Sequence, residues 1–201
     1  KTGLGGLCAS LLSHSIGAPP INHFASAEIK EAVLTKILSG EKISALAITE
    51  LTGGSDVAAL QTKAVRDGDD YIVTGEKTFI TSGIRADYYT VAVRTDPEAK
   101  GPNGISMLLI DAHSAGITKS KLDKMGWWAS DTAHLHFDNV RVPAKNLLGA
   151  ENMGFLVIMN NFNMERFFLA ASSYSFALVC YEEALEWAQQ RKTFGKRLVD
   201  H

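Results

Sequence analysis

Apolar positions along the chain change their spacing twice. Residues 4–16 are largely apolar and helix-compatible, as in a core helix, and Pro19-Pro20 is expected to stop it. Ser26 is placed to cap a second helix, with Ile29, Val33, Leu34, Ile37 and Leu38 on one face and Gly40 as its terminator. From about residue 44 to 143 the spacing shortens. Runs at 45–49, 61–66, 70–74, 77–81, 88–94, 105–110 and 133–138 alternate or carry β-branched and aromatic residues, with Gly, Asp, Asn and Pro between them. Many short strands at such spacing favour a closed or sandwich-like β-domain over a βαβ sheet. After Pro143 and Gly149 the pattern is helical again. From Gly154 to about Gln190 there is no proline or interior glycine, and apolar residues recur on several faces, as in a helix buried in a bundle. Gly195 then marks a break. The predicted fold class is α+β: an N-terminal α-helical segment over 1–43, a central antiparallel β-barrel domain over 44–150, and the start of a C-terminal α-helical bundle over 151–201.

Composition narrows the function classes. The 201 residues allow one large domain or two small ones. A net charge of −2 gives no electrostatic reason to expect nucleic acid or an anionic membrane surface as partner. There is no run of 18 apolar residues, so no bilayer span is expected. Cys8 and Cys180 are the only cysteines, too few for a disulfide framework or a cysteine-rich metal site, and both are expected as buried, reduced thiols. The opening LGGLCASLL lacks a basic leader and a clear cleavage site, so it reads as core helix and not as a signal sequence. His14, His23, His113, His134 and His136 show no spacing with a carboxylate cluster that implies a metal. His134 and His136 alternate on one strand and read as surface or packing residues. Starting at Lys1 and stopping at His201 soon after a long helical stretch, the chain reads as an excerpt of a longer protein.

Two short segments carry candidate chemistry. ALAITELTGGSD at 45–56 and GEKTFITSG at 75–83 are β-prone runs that end in Thr, Ser and Gly. Thr49, Ser55 and Thr81 supply hydroxyl partners, while Gly53 and Gly54 let the backbone approach a ligand closely. Two such runs separated by a strand-rich interval suggest neighbouring loops that grip one polar, planar ligand.

The wording of these loops resembles the flavin-binding middle domain of the acyl-CoA dehydrogenases. Further segments agree in order: GISMLLID with a following AGI, KMGWWASDTAHLHFDNVRVP, NLLG with a following GF, NMERFFLAA and QQRKTFGKRL. The resemblance covers essentially the whole chain. It implies FAD as cofactor and oxidation of an acyl-CoA thioester to its trans-2-enoyl form, by α-proton abstraction and hydride transfer to flavin N5. It also implies an electron-transfer flavoprotein as electron acceptor, a homotetramer (a dimer at minimum), and a bacterial cytoplasmic setting, with the mitochondrial matrix as alternative. An acyl-CoA oxidase or nitroalkane oxidase on the same fold, and a non-catalytic interaction module, are the rival readings.

By the same resemblance, Leu46, Ala47, Ile48, Thr49 and Ser55 form the first flavin loop, with Thr49 at the pyrimidine side and Ser55 facing pyrophosphate and thioester. Asp56 is expected to cap or brace this loop. Leu51 stands where the family commonly has proline, and Phe79 where many members carry tryptophan. Phe79 would pack on the flavin ring, next to Ile80, with Thr81 near N5. Asn163 and Arg166, three apart on one helix face, match acyl-CoA contacts, and Thr95 lies near another. Glu165 occupies the position of the catalytic base in the isovaleryl and long-chain subfamilies; in most members the base is a glutamate beyond His201. Phe162, Phe168 and Leu169 give Glu165 an apolar setting that would raise its pKa, as suits a base near neutral pH. Arg191, Lys192, Thr193 and His201 match the element that reaches a neighbouring subunit's FAD at its pyrophosphate and adenosine end. Trp127-Trp128 departs from the pattern, which commonly has arginine second, and this puts a charge role for that loop in doubt.

Overall fold

The structure is a computed structural model. It describes residues 5–201, with the side chains of 5–8 and 11–15 left aside, so Leu4 and the side chains of Cys8 and His14 lie outside the described residues. The chain divides into two compact units, Gly5–Asn161 and Phe162–His201.

In the first unit, helix α1 (Gly5–Phe24) runs straight through Pro19 and Pro20, so the expected stop does not occur. Each proline removes a helical donor and crowds the preceding turn, at about 3 kcal/mol or more. Tertiary burial offsets that loss: Pro20, Ala18 and Ile21 are all buried, and α1 is seated tightly on strand β1 (Ser44–Ala47) at Gly17. A Cβ there would lie 2.7 Å from Ser44 Oγ and 2.9 Å from the Ser44 carbonyl carbon. Ser26 does cap the next helix, its side chain accepting from the Ile29 amide at 3.3 Å. That helix is built of α2 (Ala27–Ile29), a π-helical turn (Lys30–Leu34) and α3 (Thr35–Leu38), and it closes at Gly40 with φ +78°.

The remaining strands are β2 (Lys63–Asp67), β3 (Asp70–Thr81), β4 (Tyr88–Arg94), β5 (Ile105–Asp111), β6 (Ile117–Lys121) and β7 (Thr132–Pro143). They form one seven-stranded sheet with β1, in the order β1-β4-β2-β3-β7-β6, and β5 pairs with β4. The sheet is mixed where an antiparallel barrel was expected, because β1 and the first residue of β2, Lys63, pair parallel to β4. Among the described residues no ladder joins β6 back to β5 or β1, so it is a half-barrel. Its core is Tyr71, Val73, Tyr89, Val91, Leu108, Ile110, Leu135 and Phe137, drawn from β3, β4, β5 and β7.

Two expected strands, 70–74 and 77–81, are one strand, because β3 continues through Gly75 while paired to β7. Its register shifts twice. Between Val73 and Gly75 the partner β7 carries the extra residue, at Asn139 with φ +51°; between Lys77 and Ile80, β3 carries it, at Phe79 with φ +58°. The two bulges cancel, so Asp70 pairs with Pro143 and Thr81 with Thr132 at the ends. β6 escaped sequence reading because ITKSK has no apolar face; its lysines suit an edge strand.

Helix α4 (Gly154–Gln190) begins in the first unit and continues as the second. Beyond Asn161 none of its residues is buried, and Phe167, Leu169, Tyr174, Tyr181 and Trp187 are exposed. Cys180 is exposed too, against expectation, since it lies on this part of the helix. A two-stranded hairpin follows, β8 (Lys192–Thr193) and β9 (Lys196–Arg197), turning at Phe194 and Gly195 with both φ positive. No helix of the described residues is long and apolar enough to cross a membrane.

Candidate active site

In the first unit, β1 delivers the segment 46–56 to the side of β3. Leu46 and Thr49 are half-buried, while the Ala47 and Ile48 side chains are in the core, so those two can offer a ligand only their backbone. The chain then turns tightly: the Glu50 amide donates to the Gly53 carbonyl and the Gly53 amide to the Glu50 carbonyl, each at 3.1 Å. Gly54 follows close against Thr49, where a Cβ would lie 3.0 Å from Thr49 Cγ2. Ser55 and Leu51 are exposed. Asp56 does not brace the loop through its carboxylate; its backbone carbonyl accepts from Ala59 and starts a short 3-10 turn.

The second segment is shaped by the β3 bulge. A bulge re-aims the side chains around it, and here Thr78 stays buried while Phe79 turns outward, 69% exposed, with Ile80 back in the core and Thr81 half-buried. A bulky residue at positive φ is a true outlier, and such strain clusters at functional sites. The two segments are tied directly, the Thr78 amide donating to the Thr49 carbonyl at 2.9 Å.

Beneath them lies an ion pair that sequence reading missed. Lys77 is fully buried and its Nζ donates to Glu50 Oε1 at 2.7 Å and to the Ile48 carbonyl at 3.0 Å. Glu50 also accepts from the amides of Gln61, at 2.6 Å, and Thr62, at 2.9 Å. Burial pushes the Glu50 carboxyl up, yet Lys77 and these hydrogen bonds together hold it below its ordinary value. Burial pulls the Lys77 ammonium down to about 8 against the attraction of Glu50. The signal was present: Lys77 shares strand parity with the buried Tyr71 and Val73, and an inward lysine demands a buried acceptor.

Thr95 is half-buried and directly follows β4. Its hydroxyl lies 2.6 Å from Ser106 Oγ and 2.8 Å from Asn152 Oδ1, which engages it in tying β5 to the turn before α4. By contrast, no hydrogen bond within the described residues engages the hydroxyls of Thr49, Ser55 or Thr81. His134 and His136 both face Glu76, at 3.8 and 3.3 Å, as surface pairs. Trp127 and Trp128 are exposed, and the Trp128 indole donates to the Lys124 carbonyl.

In the second unit, α4 presents Asn163 and Arg166 together, Arg166 Nη1 donating to Asn163 Oδ1 at 3.3 Å while its guanidinium lies 5.6 Å over the Phe162 ring. Glu165 is half-buried. Burial pushes its carboxyl up to about 7, with the Arg166 charge pulling the other way. After α4, Thr193 Oγ1 and the Thr193 carbonyl both lie within 3.2 Å of His201 Nε2. Arg191 is anchored by its backbone to Trp187 and Leu198, and it and Lys192 leave their cationic heads exposed.

This donor set fits a flat heterocycle with a polar rim. An outward aromatic ring, two hydroxyls close by in sequence, and a glycine loop already at contact distance from Thr49 suit a flavin better than a metal; among the described residues no group of three His, Cys, Asp or Glu converges.

Comparison with known proteins agrees with that chemistry. Residues 45–140 match the family model "Acyl-CoA dehydrogenase, middle domain", and residues 152–201 match "Acyl-CoA dehydrogenase, C-terminal domain". Cyclohexane-1-carbonyl-CoA dehydrogenase of Geobacter metallireducens is 40% identical over 199 residues, covering 96% of this chain and 52% of that protein. The mitochondrial long-chain specific acyl-CoA dehydrogenase of Mus musculus is 40% identical over 190 residues, covering 94% and 44%. Among solved structures, a probable acyl-CoA dehydrogenase from Mycobacterium abscessus superposes with a TM-score of 0.94 at 49% identity, covering 99% of this chain and 53% of that one. The chain spans about half the length of the curated relatives it matches.

Proposed function

The chain belongs to the acyl-CoA dehydrogenase family, and from that premise we propose that the whole protein is an FAD-dependent acyl-CoA dehydrogenase with Glu165 as its catalytic base. The observation that carries the assignment is the half-buried Glu165 carboxyl, pushed up to about 7 on α4, a quarter-turn from Arg166. A carboxylate at its ordinary value is too weak a base for an α-proton; one near 7 combines a useful ionised fraction with stronger basicity.

Bound FAD would supply the hydride acceptor. Thr49, Ser55 and Thr81 would hold its polar rim, Phe79 would lie against its ring, and the backbone of Leu46–Ile48 and Ile80 would complete the seat. Asn163 and Arg166 orient the acyl-CoA, Arg166 through its planar fork. Glu165 takes the α-proton of the thioester onto a carboxylate oxygen. Arg191, Lys192, Thr193 and His201 are assigned to the pyrophosphate and adenosine end of FAD in a neighbouring subunit. An electron-transfer flavoprotein would be the electron acceptor, with the protein a homotetramer of the bacterial cytoplasm.

The test is anaerobic bleaching of the flavin by a panel of acyl-CoAs in the full-length protein. Glu165→Gln should slow bleaching by about 10²–10⁴-fold while FAD stays bound. Bleaching at the wild-type rate would place the base beyond His201.

A further inference from the structure

The buried Glu50–Lys77 pair is not among the residues assigned to ligands, yet Lys77 bonds directly to the backbone of the first loop. Lys77 holds the Ile48 carbonyl, which belongs to the Ile48–Thr49 peptide, and the Thr49 carbonyl is held in turn by Thr78. Thr49 is therefore fixed on both sides by β3. On the other side, Glu50 gathers the amides of Gln61 and Thr62, and the Thr62 hydroxyl donates to the Glu76 carbonyl at 3.0 Å. Three chain segments meet at one carboxylate and one ammonium, and the bulge that turns Phe79 outward begins at Lys77 itself.

A buried ion pair of this kind is poor evidence for stability, since well-packed apolar residues usually serve as well; its better-attested use is to impose one arrangement. We propose that Glu50 and Lys77 are a positioning pair that locks the 46–56 loop to β3, so that Thr49 and Phe79–Thr81 present one fixed seat to the flavin. The ammonium also polarises the Ile48–Thr49 peptide, which strengthens the Thr49 amide as a donor. This inference rests on the flavin reading and adds residues that do not touch the cofactor.

The full-length protein tests it with Glu50→Gln, Lys77→Met and the double variant Lys77→Gln/Glu50→Gln, which keeps a neutral hydrogen-bonding pair. FAD affinity is read by fluorescence on titrating apoprotein, and the seat by the position and shape of the visible flavin bands. The single variants should bind FAD at least tenfold more weakly and displace the bands, and the double variant should recover part of both. A folded variant with wild-type affinity and wild-type bands overturns the proposal. Loss of folding in all three makes the pair a determinant of the fold at large and overturns it equally. Wild-type protein that takes up no FAD refutes instead the flavin reading itself.

Discussion

Glu165 and Arg166 are neighbours in sequence with opposed effects, and that opposition can be measured. Only the carboxylate accepts a proton, and the folded carboxyl is raised to about 7, so kcat/KM should climb as pH passes upward through 7 and fall about tenfold per unit below it. A rate profile that stays flat down to pH 5 would contradict the assignment. Because the Arg166 charge lowers this carboxyl, Arg166→Ala should move the acid limb to higher pH besides weakening acyl-CoA binding. A purely substrate-holding arginine would leave the limb in place. Single residues were legible where their chemistry is local. The raised Glu165 carboxyl is one such case, expected from the apolar residues beside it in sequence. Lys77 was not recognised, since its significance lies in an acceptor 27 positions away. The partners of Thr95 were not legible either, because nothing in sequence places Ser106 and Asn152 beside it.

Elements followed the hydrophobic pattern wherever local and tertiary preferences agree. The Ser26 cap, β4 and the long helix α4 all lie where the pattern puts them. Disagreement arises where packing overrides local chemistry. Helix α1 crosses two prolines because its last turns are pressed on β1, and β6 forms from a polar edge that only its partner β7 defines. The α1–β1 contact has a direct test. Gly17→Val forces side-chain carbon into the Ser44–Ala45 backbone and should cost about 1–3 kcal/mol, read by denaturant unfolding of the full-length protein. Unchanged stability would show that α1 can lift from the strand freely.

For the molecule as a whole, the chain corresponds to about half the length of its matching relatives. What the chain does carry is a basic hairpin whose backbone is pinned while the Arg191 and Lys192 side chains remain exposed. If these cations reach a neighbour's cofactor, Arg191→Ala should weaken FAD about tenfold or more, the worth of one charge-assisted hydrogen bond, and leave the oligomeric mass unchanged. Light scattering of wild type should give a tetramer, and a monomer that holds FAD normally would refute the crossing. A last consequence belongs to the lineage. β3 and β7 each carry one surplus residue, and the two offsets restore each other at the strand ends. A deletion in one arm alone would slide Thr81 off its partner. Natural insertions and deletions here should therefore be inherited in matched pairs, leaving strand length nearly constant among descendants whose loops have drifted.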